Sequence, residues 1–265
     1  MTRIAHAFRS GMSRSKDFWA AAAAGVPIGV VANEMPASLV LIGIPRFLRA
    51  GGHLFIDSGA FAELATGAVP DFDAVLGVYE AVADADLIGF NGGQLYVVAP
   101  DKVGDQLETL NRLSQYATRV RALIDLGCKV IVPLQRGVMP ASEMLSRAVA
   151  ILGTDRFVAG IPSNKEALSM VECATLKHHA FHILGRVQMN QDQIDRLNAL
   201  ATQNASAVIT ADANWLRSRI GIVSDLGKRE RQARILAPSR ASHLLPPVRS
   251  VAITAAIRSE TVWAQ

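Results

Sequence analysis

Short apolar runs of six or seven residues recur along this chain, most of them rich in β-branched or aromatic side chains, with longer amphipathic stretches between them. The runs are LVLIGIP (39 to 45), HLFIDSG (53 to 59), QLYVVAP (94 to 100), KVIVPLQ (129 to 135), RFVAGIP (156 to 162), AFHILG (180 to 185) and SAVITAD (206 to 212). Such runs predict strands buried on both faces. Between them, residues 105 to 126 keep Leu107, Leu110, Leu113, Ala117, Val120 and Leu123 on one stripe, with Asp105 as N-cap and Gly127 just past the end. Further helices are predicted over 72 to 83, 140 to 152 and 191 to 202, and SNKE at 163 to 166 reads as a capping box opening another.

Strands alternating with helices imply parallel pairing through right-handed crossovers. Seven strand candidates, with no GxGxxG or Walker-type glycine pattern after the first, favour an α/β fold of the (β/α)8 TIM-like barrel type over an open doubly wound sheet. The 265 residues suit a fold that takes ~250. The expected organisation is a barrel over 36 to 235, an N-terminal extension (1 to 35) packed on it, and a C-terminal extension (236 to 265) containing Pro238, Pro246 and Pro247.

Composition narrows the class. With 50% hydrophobic and 19% charged residues, the chain can bury a substantial core, and disorder over most of its length is excluded. Cys128 and Cys173 are too few for a disulfide framework or a four-thiolate zinc site, so a reducing cytoplasm is the expected location. The apolar stretch from 18 to 31 contains Gly25 and Pro27 and is shorter than the ~20 residues of a membrane helix. A signal peptide is the alternative reading, with Arg14 and Lys16 ahead of the stretch and Asp17 unfavourable at its edge.

The net charge of +4 is concentrated late in the chain. From 217 onward Arg217, Arg219, Lys228, Arg229, Arg231, Arg234, Arg240, Arg249 and Arg258 face only Asp225, Glu230 and Glu260. A block of this kind can follow a phosphate backbone, or it can be the solvated face of a helix around GKRERQAR.

In a parallel barrel the C-terminal strand ends share one face, where such enzymes keep their chemistry. Asp57, Ser58, Asp101, Gln135, Gly160, Gly185 and Asp212 fall there. Asp57 and Asp212, at the ends of two different strands, can converge on one pocket, one as nucleophile at a glycosidic carbon and the other moving protons. Each aspartate at a strand-to-helix loop can equally be an N-cap. His178, His179 and His182 in KHHAFH have metal-like spacing, but strand alternation sends neighbours to opposite faces and no metal is expected. FNGGQ at 90 to 94 reads as a turn into a strand, and Cys128 as inert.

These segments carry a family resemblance. DSGAF (57 to 61) resembles the DSGGF or DSGGY motif of the tRNA-guanine transglycosylases, and APDKVGDQLETL (99 to 110) is similar to the PD-x-x-GD segment of their DNA 7-deazaguanine transglycosylase relatives. VPLQRG (132 to 137), AGIPS (159 to 163), HILGRV (182 to 187) and TADANW (210 to 215) are similar to the strand ends that follow, in the same order, over residues 53 to 221. The resemblance implies a barrel that exchanges guanine in a polynucleotide for a 7-deazaguanine such as preQ0, through a covalent glycosyl-aspartate and without a cofactor.

Carried over by residue, it implies Asp212 as the nucleophile at C1′ and Asp57 as general acid and base. Asp101 and Gln135 would read the guanine-like edge. Gly160 would let backbone groups approach the ring, Ser58, Gly137 and Gly185 would also bind substrate, and Phe61 or Trp215 would stack on the base. Arg217, Arg219, Lys228, Arg229, Arg231 and Arg234 are the expected nucleic-acid contacts.

The chain departs from the pattern in four ways, one being the offset between Asp212 and Trp215, which family members extend by one more residue. Ala60 stands where a second glycine is commoner, no glutamine follows Phe61, and no cysteine lies beyond Cys173 to build the three-cysteine, one-histidine zinc subdomain of the tRNA enzymes. The last departure points to DNA as partner, with RNA as the alternative. Other readings are a non-catalytic nucleic-acid-binding barrel and a barrel enzyme acting on a free nucleoside or sugar. A homodimer or accessory proteins are further expected partners.

Overall fold

A computed structural model describes residues 4–84, 94–163, 168–185 and 190–213. Eight strands close a barrel in chain order: β1 (Ile4–Arg9), β2 (Ile28–Val31), β3 (Leu54–Asp57), β4 (Leu95–Val98), β5 (Lys129–Pro133), β6 (Val158–Pro162), β7 (Ala180–Leu184) and β8 (Val208–Ala213). Every neighbouring pair is parallel, and β8 returns to β1 to complete the ring. This is the expected (β/α)8 architecture, contained in a compact unit spanning residues 1–213.

Two expectations about its first third are corrected. Residues 1 to 35 are not an extension, because β1 and β2 are barrel strands separated by helix α1 (Ser15–Ala23). LVLIGIP is not a strand: Leu39–Gly43 forms a π-helical turn leading into α2 (Ile44–Arg49), with Pro45 in its first turn. The buried positions 39, 40, 43, 44, 47 and 48 have helical spacing, while Leu41 and Ile42 are exposed. A seven-residue apolar run does not by itself distinguish strand from helix.

The other six predicted strands form. The remaining helices are α3 (Phe61–Thr66), α4 (Phe72–Asp84), α5 (Gln106–Gln115), α6 (Ala117–Asp125), α7 (Ala141–Leu152), α8 (Met170–Thr175) and α9 (Gln191–Gln203). The predicted 105 to 126 helix divides at Tyr116, whose ring packs near Phe72 and whose hydroxyl donates to Asp73. That tertiary contact outweighs helix propensity there, and Leu107 leaves the buried stripe for solvent. Asp105 caps α5 as expected, accepting from the Glu108 N–H. A capping box is present at Ser169 and Glu172 on α8, and most of SNKE lies outside the described residues.

Alternation along the strands sorts their side chains into two shells. Outward residues such as Leu54, Ile56, Val97, Val130, Ile161 and Ile183 pack under the helices. Inward ones, Phe8, Phe55, Tyr96, Val98, Ile131 and Val158, plug the barrel. The plug makes the barrel a packed core rather than a channel, the arrangement of barrels that keep their chemistry at the C-terminal mouth. β1 carries one extra residue opposite β8: Ile4 faces Ile209, but His6 faces Thr210. Residues 214 to 265, including all of the expected C-terminal extension, and the FNGG segment lie outside the described residues. Among the described residues no helix is long and apolar enough to cross a membrane.

Candidate active site

Asp57 ends β3 two positions beyond the inward Phe55, and Asp212 lies on β8 two positions beyond the inward Thr210. Period-two geometry therefore turns both carboxyls into the mouth. They are close enough that the charge of Asp212 raises the pKa of Asp57. Asp101 joins them from the loop after β4, buried, and Gln135 from the end of β5, also buried.

The three acids are held differently. Asp57 accepts from the Gly59 N–H at 2.9 Å, a tight turn that Gly59 permits with φ +79°. Burial pushes its pKa up to about 6; the Gly59 hydrogen bond opposes this, while the charges of Asp212 and Glu34 add to it. Asp101 is raised further, to about 7, chiefly by burial and then by repulsion from Asp57, against the Arg112 charge and the Gln135 hydrogen bond. Asp212 accepts from the Gly185 N–H at 2.8 Å and from the Ser10 hydroxyl at 3.2 Å.

Asp101 and Gln135 form a fixed unit. The Gln135 amino group donates to Asp101 Oδ2 at 2.9 Å, and Gln135 Oε1 accepts from the Gly104 N–H at 2.9 Å. Gln135 thus orients Asp101. Behind them, Arg112 on α5 donates to the Asp101 backbone carbonyl at 2.7 Å and pairs with both oxygens of Glu63 on α3. One guanidinium therefore ties together the helix that follows Asp57 and the loop that carries Asp101.

The expected glycines fare unevenly. At Gly185, φ is +94° and the N–H is spent on Asp212, so its place is beneath the nucleophile candidate. A Cβ on Gly160 would meet Leu184, Ile131 and Pro133 at 2.7 to 3.0 Å, which makes this glycine a packing requirement between strands. At Gly137 a Cβ would come within 2.4 Å of Gln106 Oε1. Gln106 in turn fastens the loop by donating to the carbonyls of Gln135 and Met139. Gly137 and Gly160 are therefore accounted for by internal packing.

Ser58 is buried and its hydroxyl accepts from the Ala60 N–H, so it shapes the DSGAF turn. Ala60 has φ −57°, ordinary helical backbone, so a second glycine is not needed there. Phe61 opens α3 with its ring exposed. Trp215 and the cations Arg217, Arg219, Lys228, Arg229, Arg231 and Arg234 lie outside the described residues. Among the described residues no cluster of three metal-binding side chains occurs. The His178 and His179 rings lie tilted against each other, centroids 4.4 Å apart, with His178 near Phe157, whereas His182 is inside the barrel.

Sequence reasoning missed Ser10, Thr210 and Arg112, and set His182 aside with the metal question. The signal for Thr210 and His182 was strand alternation from Asp212 and Leu184; Ser10 and Arg112 have no local signal.

No protein-family model and no curated protein matches the sequence. Among solved structures the chain is similar to a D-allulose 3-epimerase from Methylomonas sp., at 11% identity and a TM-score of 0.48, over 80% of this chain and 85% of that one. It is also similar to a protein provisionally assigned as a lyase/mutase from Burkholderia cenocepacia J2315, at 14% identity and a TM-score of 0.47, over 92% and 89%. The barrel assignment rests on the closed strand order itself.

Proposed function

We propose that this chain is a glycosyltransferase that exchanges guanine in a polynucleotide, DNA in the first instance, for a 7-deazaguanine base. The supporting observation is the convergence of Asp57 and Asp212 from opposite arcs of the barrel mouth, beside the Asp101–Gln135 unit. In this reading an oxygen of Asp212 attacks C1′, the C1′–N9 bond breaks, and Asp57 gives the departing guanine its proton. The entering base returns a proton to Asp57 as its N9 attacks C1′, and the ester to Asp212 is released. One C–N bond is lost and one formed, so no external energy source is needed.

The electrostatics suit each role. A carboxyl titrating near 6 can give and take a proton close to neutrality, as a group that works in both directions must. Asp101, raised to about 7, recovers its charge on meeting the N1–H and amino edge of a guanine-like ring, so binding of the base and ionisation support each other. Phe61 supplies an exposed ring for stacking. On duplex DNA the target nucleotide must also leave the stack, at a cost of a few kcal/mol.

The test is incubation with labelled preQ0 and either duplex DNA, single-stranded DNA or tRNA, followed by denaturing separation. Incorporation and a denaturation-resistant adduct, both absent in Asp212→Asn and incorporation absent in Asp57→Ala, are expected. Binding without adduct in every polymer would replace the proposal by a non-catalytic barrel, and turnover of a free nucleoside alone by a small-molecule enzyme.

A further inference from the structure

His182 is fully buried inside the barrel, stacked on Phe55 with ring centroids 4.9 Å apart and planes within 10°. Its position on β7 is in register with Thr210 on β8, and its Nδ1 lies 2.8 Å from the Thr210 hydroxyl. Its other nitrogen, Nε2, is buried without a hydrogen-bond partner and sits 3.6 Å from Oδ1 of Asp212.

The position of the ring hydrogen follows from the neighbours. Thr210 has one hydroxyl hydrogen and two acceptors in reach, Nδ1 at 2.8 Å and the Phe181 carbonyl at 3.4 Å. Either tautomer satisfies the 2.8 Å contact, since Nδ1–H can donate to the hydroxyl while the hydroxyl donates to the Phe181 carbonyl, so the choice falls to the other end of the ring. The Nδ1–H tautomer would aim the Nε2 lone pair at the Asp212 carboxylate 3.6 Å away, so that end of the imidazole selects the Nε2–H form.

We infer that His182, set by Thr210, is a positioning residue that stabilises the carboxylate of Asp212 whenever it is free of the sugar. This deepens the transglycosylase reading and rests on it. When the C1′–O bond of a glycosyl-Asp212 breaks, the electron pair returns to the carboxylate, 3.6 Å from the Nε2 of a fully buried imidazole. The Nε2–H also restrains the free carboxylate as a nucleophile. Its loss therefore slows release of the adduct more than formation, and the adduct accumulates, whereas a merely structural defect lowers both steps together.

Single-turnover kinetics on adduct-forming enzyme separate the steps. His182→Leu is expected to slow adduct resolution about tenfold, the scale of one hydrogen bond to a charged group, with a smaller effect on formation. Thr210→Val should shift the partition in the same sense, while His182→Gln and Thr210→Ser keep it near wild type. Equal slowing of both steps, or wild-type partition in His182→Leu, overturns the inference. Ring 15N spectra of the free enzyme give a readout independent of turnover: a hydrogen on Nε2 is expected, and the neutral Nδ1–H form overturns it. If wild-type enzyme forms no adduct, the transglycosylase reading itself has failed, and the spectra still decide the tautomer.

Discussion

Replacing Asp101 by Asn should make the protein more stable, and by an amount that depends on pH. The carboxyl is buried, and its pKa stands at about 7 against an ordinary 3.8. A folded-state pKa above the unfolded value means that the native protein holds the proton more tightly. The group's stabilising contribution is then fully present below pH ~4 and is lost as pH rises through about 7. The interval corresponds to ~4 kcal/mol, a ceiling because Asp101 and Asp57 titrate together.

Asp101→Asn keeps an oxygen to accept from Gln135 and removes the charge. Urea unfolding at pH 8 should therefore show a gain of ~1 to 4 kcal/mol, roughly 1.3 M in midpoint at most for an m-value of ~3 kcal/mol/M. The gain should shrink between pH 7 and 5 and vanish near pH 4. A variant less stable than wild type at pH 8, or a difference that does not change with pH, would refute the reasoning that burial rather than pairing governs this carboxyl. Base exchange should fall in the same variant, since an amide cannot accept from both N1–H and the exocyclic amine with one oxygen.

Arg112→Met leaves Glu63 without its bidentate partner in a largely buried setting and should cost ~3 kcal/mol, read as a lowered urea midpoint. Gly160→Ala places a methyl against Leu184, Ile131 and the Pro133 backbone and should cost ~1 to 3 kcal/mol by thermal melting, without a change in the pKa of Asp57. In Asp212→Asn one of the charges that raise Asp57 is gone; carboxyl NMR should show Asp57 titrating below about 6 yet above the ordinary range, because burial remains.

Much of the mouth was legible because its residues sit where a period-two apolar run ends. Asp57, Gln135 and Asp212 follow directly from that pattern, and Asp101 from the loop just beyond β4. The first two strands were not. IAHAFR puts His6 at an inward position and Arg9 at its end, so β1 carries no continuous apolar signal, and IGVV is only four residues long. LVLIGIP misled in the opposite sense, its apolarity serving a helical turn. The supports of the site were invisible for a different reason: Ser10 meets Asp212 across 202 positions of sequence, and Arg112 meets Glu63 across 49. Contacts of that range are products of closure, not of local pattern.

Because β8 seals against β1, the candidate nucleophile has no surroundings until the last strand docks. A growing chain that has already made Asp57, Asp101 and Gln135 still offers no carboxylate braced by Ser10 and Gly185. If the proposed exchange holds, chemical competence and completed architecture arrive in the same event, and a half-made or partly opened molecule should form no adduct.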